Sequence, residues 1–152
     1  MNKVHIRLIF LAAAISVVGV AIHVAAIIGG PPWYVFFNAP PVIVASARAG
    51  TWLAPISTAG IALLMGICAV YACSALGLVR RLPMLRTMLA GIASVCLLRA
   101  LVLVPLAFTY PELLNLFEIV AALAWGAAGL GFAAGFLVTR STETALPSGI
   151  AP

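Results

Sequence analysis

The sequence predicts an all-α integral membrane protein with four transmembrane helices, and three observations support this. Hydrophobic residues make up 65% of the 152 residues and charged residues only 7%, whereas a soluble domain carries roughly a quarter charged residues. Four apolar runs each reach the length of about 20 residues that a helix needs to cross a bilayer. Most basic residues lie at the ends of these runs, where they act as topology signals. We therefore expect a four-helix bundle surrounded by lipid.

Helix-breaking turns separate the four spans. Pro31 and Pro32 end the first run, because proline has no amide hydrogen and restricts the residue before it. A basic turn at residues 80–86 separates the second run from the third, and Pro111 suits the first turn of the fourth helix. We expect the spans at about residues 6–28, 53–79, 87–108 and 114–138.

The domain and its loops follow from these spans. Residues 1–140 form one four-helix transmembrane domain, and the polar residues 141–152, which include proline and glycine, are expected to be a flexible cytoplasmic tail. The loop 29–52 is external and carries aromatic residues such as Trp33, which favour the membrane–water interface. This loop is therefore either an interfacial anchor or a lid over a site at the outer face.

The orientation follows from the basic residues in the short loops. Lys3 and Arg7 precede the first span and Arg140 follows the fourth, whereas the opposite side carries only Arg48 in its loop. Both termini are therefore predicted to be cytoplasmic, in a bacterial inner (plasma) membrane. The alternative is a signal peptide cleaved near residues 24–26, which would leave three spans and an external N-terminus. The length of the first apolar run favours the uncleaved helix.

Arg99 is the strongest functional signal, because an arginine at mid-membrane costs about 2.5–3.5 kcal/mol and needs a partner or a wet cavity. It lies roughly 13 Å below the outer end of the third span, and Glu118 roughly 9 Å below the outer start of the fourth, at about 1.5 Å per residue. A short turn makes these helices antiparallel neighbours. We expect an Arg99–Glu118 pair, whose fork geometry allows two hydrogen bonds. The pair either only links two helices or lines a site.

His23 is the expected third member of this site. Small residues, including Gly19 and Ala26, recur with it at steps of three and four along the first helix, and such a face packs against other helices. His23 is therefore expected to point into the bundle, either as a structural hydrogen-bonding group or as part of the site. Together with Arg99 and Glu118 it would line one polar pocket that opens outward.

Three further residues complete the predicted ligand-binding set. Asn115 lies one turn before Glu118 and extends the polar cluster, and Trp125 shares a side of the fourth helix with Glu118. Arg48 either reaches lipid phosphates or folds over the pocket to contact an anionic ligand. The predicted ligand-binding residues are thus His23, Arg48, Arg99, Asn115, Glu118 and Trp125.

The sequence also bears on cofactors and partners. The three cysteines lie in apolar segments without CxxC spacing, so no disulfide framework, metal site or cofactor is predicted. The net charge of +5 comes from topology signals at the ends of the spans, which argues against nucleic-acid binding. Membrane lipids are expected partners. Small residues of the fourth helix would allow close contact with a second copy or a partner membrane subunit: Ala127, Gly131 and Gly135.

Three functions remain open on the sequence. The first is the binding, with transport as an extension, of a small amphiphile such as a lipid head group or a quinone in the outward-facing pocket. The second is a non-enzymatic subunit or assembly factor of a larger membrane complex. The third is a membrane-embedded enzyme that uses His23 as a base and Arg99 as an anion clamp. It ranks last because the sequence carries no nucleophile motif, metal-ligand cluster or paired carboxylates.

Overall fold

A computed structural model describes residues 2–111 and 114–144, with side chains described up to Thr139. Within these ranges the chain forms helices and no β-strands. The helices are α1 (Lys3–Gly29), α2 (Pro31–Phe36), α3 (Pro41–Arg48), α4 (Leu53–Ala75), α5 (Leu85–Leu101), α6 (Leu103–Thr109) and α7 (Leu116–Thr144).

Four helical segments in the described ranges are long and apolar enough to cross a membrane. They are Lys3–Gly29, Leu53–Ala75, Leu85–Thr109 and Leu116–Thr139. Most residues of their most apolar stretches lie on the surface of the bundle rather than inside it. The prediction of an all-helical chain with four membrane-length helices is therefore confirmed for the described residues.

The boundaries of α1 follow from its two flanking residues. The side chain of Asn2 caps the helix by accepting a hydrogen bond from the amide of Val4 at 3.2 Å. At the other end Gly30 takes a φ of 68°, a conformation that glycine adopts without steric cost, and Pro31 then opens α2. The first span therefore ends within one residue of the predicted boundary at residue 28, where the glycine and proline residues begin.

The second span is shorter than the sequence predicted, because α4 ends at Ala75 rather than near residue 79. Gly77 takes a φ of 75°, and its amide donates to the carbonyl of Ser74 at 3.1 Å. The amide of Leu78 donates to the carbonyl of Cys73 at 3.0 Å. These two bonds form a Schellman motif, which ends a helix although the following residues are still apolar.

The third predicted span consists of two helices, because α5 ends at Leu101 and α6 begins at Leu103. Pro105 lies four residues after Leu101, so it has no amide hydrogen for that carbonyl and its ring crowds the preceding turn. The break lies within one turn of Arg99, which is therefore placed in the last turn of α5.

The long helices pack through small residues. α1 packs along both α4 and α7, and α5 packs along α7, whereas no described Cα atom of α1 lies within 8 Å of one in α5. A Cβ atom at Gly131 of α7 would collide with the carbonyl oxygen of Leu8 and lie against Ala12, both in α1. The largest fully buried side chains are Ile9, Leu89 and Phe132.

The bundle has two ends. The terminal end comprises residues 2–7, the turn 76–86 and the last residues of α7, and the loop end comprises residues 29–52, 102–111 and 114–118. α7 continues to Thr144, so residues 141–144 of the predicted tail are helical. The remainder of that tail, residues 145–152, lies outside the described residues.

Candidate functional site

Arg99 and Glu118 form an ion pair at the loop end. Nη2 of Arg99 donates to Oε2 of Glu118 at 3.3 Å. Arg99 lies in the last turn of α5 and Glu118 in the first turn of α7, and these two helices pack along each other. The predicted pairing is confirmed, but it consists of one hydrogen bond rather than the two that the guanidinium fork allows.

The ion pair is partly open to its surroundings. The side chain of Arg99 is 41% exposed and that of Glu118 is 20% exposed. A guanidinium carries five N–H donors, and the bond to Glu118 uses one of them. Arg99 therefore presents positive charge and hydrogen-bond donors on the outside of the bundle, about one turn from the exposed apolar side chains of Val95 and Val102.

Asn38 is a member of the site that the sequence reasoning missed. Its Nδ2 donates to Oε1 of Glu118 at 3.5 Å, so the carboxylate has one partner on each oxygen. Asn38 follows α2 and has a φ of 53°, a left-handed conformation that asparagine tolerates better than most residues. An asparagine just before Ala39 and Pro40 was the available signal, but only the fold brings residue 38 to residue 118.

Asn115 serves the backbone of α7 rather than a pocket. Its Oδ1 accepts a hydrogen bond from the amide of Glu118 at 3.0 Å, three residues later. This is the bond of an N-cap residue, which satisfies a first-turn amide that has no partner within the helix. Asn115 therefore orients Glu118 indirectly, by fixing the start of the helix that carries it.

Replacing Asn115 by alanine is expected to lower the free energy of unfolding by about 1 kcal/mol, because the cap bond to α7 is lost. Chemical or thermal unfolding of the purified protein in detergent micelles measures this change. Asn115→Ser, which keeps a capping oxygen, is the control and should restore most of the loss. Equal stability of the alanine and serine variants would contradict the capping role.

His23 is hydrogen-bonded within its own helix and not to the Arg99–Glu118 ion pair. Its Nδ1 donates to the carbonyl oxygen of Gly19 at 2.7 Å, one turn earlier in α1. A Cβ atom at Gly19 would collide with the sulfur of Met65, so this face of α1 packs on α4 rather than on α5. Among the described residues, no hydrogen bond or ion pair joins His23 to Arg99 or Glu118.

The two remaining predicted site residues have separate environments. Arg48 is the last residue of α3 and is exposed, with no described hydrogen bond to Glu118. Trp125 is half-buried and packs against the main core. It lies about two turns, or roughly 10 Å, further along α7 than Glu118. Hydrogen bonds thus connect four polar residues at the loop end, namely Asn38, Arg99, Asn115 and Glu118.

Tyr34 is the buried aromatic residue of the loop 29–52. It is 4% exposed and packs with Ala26 of α1 and Ala54 of α4, whereas Trp33 beside it is 44% exposed. Its hydroxyl is buried and has no hydrogen-bond partner among the described residues. An unpaired buried hydroxyl costs roughly 1–3 kcal/mol. Tyr34 therefore holds α2 against the bundle by apolar contact, and its hydroxyl oxygen is left without a described hydrogen bond.

Tyr34→Phe is expected to raise the free energy of unfolding by about 1 kcal/mol, because it removes a buried hydroxyl and keeps the packed ring. Tyr110→Phe is the matched control and should change stability little, since Tyr110 is 53% exposed. Thermal unfolding of both variants in detergent provides the comparison. A loss of stability confined to Tyr34→Phe would contradict this expectation, because it would show that the hydroxyl has a hydrogen-bond partner.

The small-residue stripe of α7 packs largely within the chain. Gly131 contacts α1, and a Cβ atom at Gly135 would lie 3.4 Å from Leu89 and 3.5 Å from Ala75. Ala127, the third member, is half-buried. Contact of this stripe with a partner subunit therefore stays a prediction, and the helices of the same chain already occupy the surface around its two glycines.

Two cavities of about 600 Å³ each are described, and neither is lined by the ion pair. The first lies at the terminal end beside Arg81 and Arg86. The second is an apolar groove that Val20 of α1 and Leu63 of α4 line. An enclosed pocket around His23, Arg99 and Glu118 therefore remains a prediction, and the described site there is a partly exposed surface.

No protein-family model, no curated protein and no solved structure matches this chain. Within the part of the chain that the structure describes, the histidine, cysteine and acidic side chains form no group of three or more that could hold a metal ion. The function is therefore inferred from the physical chemistry of the loop-end site.

Proposed function

We propose that this chain is a multi-pass integral membrane protein of a bacterial inner membrane, with both termini in the cytoplasm. Large apolar side chains on the outer faces of the long helices support insertion, such as Val17 at 57%, Leu63 at 67% and Leu123 at 69% exposure. Each Å² of apolar surface left in water costs about 25 cal/mol, which lipid removes. The basic residues of the terminal end support the orientation, because such residues favour the cytoplasmic side.

The proposed activity is the binding of a small amphiphile at the loop end, with transport as an extension. One observation carries this proposal. Arg99 lies in the membrane-length segment Leu85–Thr109, its side chain is 41% exposed, and it makes one hydrogen bond, to Glu118. A phosphate or carbonyl head group would accept hydrogen bonds from the other guanidinium N–H groups. Its apolar part would lie against Val95 and Val102, which are exposed about one turn to either side of Arg99. Lipid phosphates and quinone carbonyls have this chemistry.

Glu118 and Asn38 have positioning roles in this proposal. The carboxylate of Glu118 holds Arg99 at one N–H group, and the amide of Asn38 holds the carboxylate from the opposite oxygen. Asn38 belongs to the external loop, so the loop is tied to the site by a side-chain bond. A ligand that displaces this bond would release Asn38 from Glu118.

A second candidate function is that of a subunit in a larger membrane complex, and the outer surface around Arg99 favours it. α5 and α6 leave a broad apolar face uncovered, which includes Val95, Leu98, Leu101 and Phe108. An acidic side chain of a partner helix would bind the same N–H groups of Arg99 that a head group would. The nature of the co-purifying molecule distinguishes the two functions.

Ligand-induced stabilisation tests the proposed binding. A short-chain phosphatidylglycerol and a short-chain ubiquinone are titrated separately into the purified protein, and thermal unfolding is followed. A bound ligand at about 100 times its Kd adds roughly 2.7 kcal/mol to the free energy of unfolding. We expect at least one of the two probes to stabilise Arg99→Gln less than it stabilises the wild type and Arg48→Gln. Equal stabilisation of Arg99→Gln and wild type by both probes would refute the site.

A further inference from the structure

The cavity at the terminal end is lined by both basic and apolar side chains. Its volume is about 600 Å³. Arg81, Arg86 and Thr87 are its polar lining residues. Leu82, Ala90 and Phe136 are among its apolar lining residues. Such a lining matches a ligand with an anionic group joined to a hydrocarbon part.

The basic lining of this cavity is held in place by the fold. Cζ of Arg86 lies 5.6 Å from the centre of the Phe136 ring, a cation–π arrangement that links α5 to α7. Arg86 and Thr87 belong to the first turn of α5, where backbone amides and the helix dipole add positive potential. By sequence, six basic residues and Glu143 belong to this end, so its net charge is positive. The basic residues are Lys3, Arg7, Arg80, Arg81, Arg86 and Arg140.

An apolar groove shares a wall with this cavity. The groove has a volume of about 600 Å³ and is lined by Val20 of α1 and by Leu63, Gly66 and Val70 of α4. Leu82 lines both the groove and the basic cavity. The groove therefore offers a hydrocarbon chain a path along the outside of α1 and α4, starting beside the basic cavity.

We propose that the basic cavity binds the phosphate of an anionic phospholipid and that the groove holds one of its acyl chains. Arginine recognises phosphate oxygens through charge-assisted hydrogen bonds, which Arg81 and Arg86 supply here. The apolar lining and the adjoining groove favour a lipid over a free phosphate ion. The cytoplasmic leaflet is rich in anionic lipids, and basic pockets between transmembrane helices on that side bind their head groups. This site rests on the proposed membrane insertion and orientation, and is independent of the loop-end site.

Native mass spectrometry in mild detergent, with added phosphatidylglycerol or phosphatidylcholine, tests the head-group cavity. We expect the wild type to retain phosphatidylglycerol preferentially. Arg81→Gln should lower that retention about fivefold, since the loss of one hydrogen bond to the phosphate costs about 1 kcal/mol. Arg80→Gln is the matched control, because it removes the same charge one residue away from the cavity wall and should retain the lipid as wild type does.

The acyl-chain path has its own test. Gly66→Leu places a side chain in the groove and should lower phosphatidylglycerol retention, whereas Gly60→Leu, on an open face of α4, should leave it unchanged. Unchanged retention in both variants would remove the groove from the proposal.

Several results would overturn the head-group cavity. Equal losses in Arg80→Gln and Arg81→Gln would show diffuse surface attraction, and no loss in Arg81→Gln would exclude the cavity. Displacement of the lipid by inorganic phosphate would identify a free-anion site instead. Because the two sites are independent, Arg99→Gln should retain the terminal-end lipid. If Arg99→Gln loses the lipid and Arg81→Gln does not, the terminal-end site is wrong and the loop-end function still stands.

Discussion

Gly131→Ala is expected to lower the free energy of unfolding by roughly 2–3 kcal/mol. The added Cβ would collide with the carbonyl oxygen of Leu8. A backbone atom cannot rotate away as a side chain does, so α1 and α7 would have to separate. That movement would loosen the core around Ile9 and Phe132. Denaturant unfolding in detergent micelles measures the loss.

Gly91→Ala is the control for this prediction, because it makes the same chemical change on an exposed face of α5. A Cβ atom at Gly91 has no neighbour within 4 Å. Alanine in a helix interior is more stable than glycine by about 0.5–1 kcal/mol, so this variant should be stabilised. The two substitutions are therefore expected to have opposite signs. If they change stability alike, the close approach of α1 and α7 at Gly131 is wrong.

Arg99→Ala and Glu118→Ala are each expected to lower the free energy of unfolding by about 1–2 kcal/mol. Removing one member of a fully buried pair costs roughly 3–5 kcal/mol, and exposed pairs contribute at most about 1 kcal/mol. This pair lies between those cases, with 41% and 20% of its side chains exposed. Asn38 still holds Glu118 when Arg99 is absent, which moderates the loss.

A double-mutant cycle isolates the contribution of the pair. The double variant Arg99→Ala, Glu118→Ala should cost less than the sum of the single variants, by about 1 kcal/mol, because each single substitution leaves one charge without its partner. Strictly additive losses would show that the two side chains act independently. The matched pair Asn115→Ala and Glu118→Ala should be closer to additive, since Asn115 bonds the backbone of residue 118 and not its carboxylate.

The four spans were predictable because hydropathy and length suffice to define them, and turn chemistry marked several of their ends. The pairing of Arg99 with Glu118 was also predictable, from depth and the short connection alone. The end of α4 was placed too late because Gly77 was read as part of an apolar run. The break at Val102 was missed because Pro105 lies inside a continuous apolar run, where hydropathy outweighed the proline.

The partners of His23 could not be predicted, because a helix face shows that it is packed but not which helix it meets. The small-residue face with Gly19 does lie against another helix, and that helix is α4 rather than α5. Asn38 was missed for a related reason, since a bond across eighty residues depends on where the loop 29–52 packs on the bundle. Gly131 was predicted to allow close contact, and its neighbour is α1 of the same chain.

Native mass spectrometry of the intact protein, released from membranes in mild detergent, tests the loop-end site most directly. The wild type is compared with the double variant Arg99→Ala, Glu118→Ala, with Arg48→Gln as a control for charge loss at the same end. We expect the wild type and Arg48→Gln to carry a defined small amphiphile that the double variant loses, whereas a lipid bound at the terminal end stays with all three proteins. A wild type that carries no such molecule, and instead brings down a partner chain that the double variant releases, would contradict the proposal and identify the ion pair as a subunit interface.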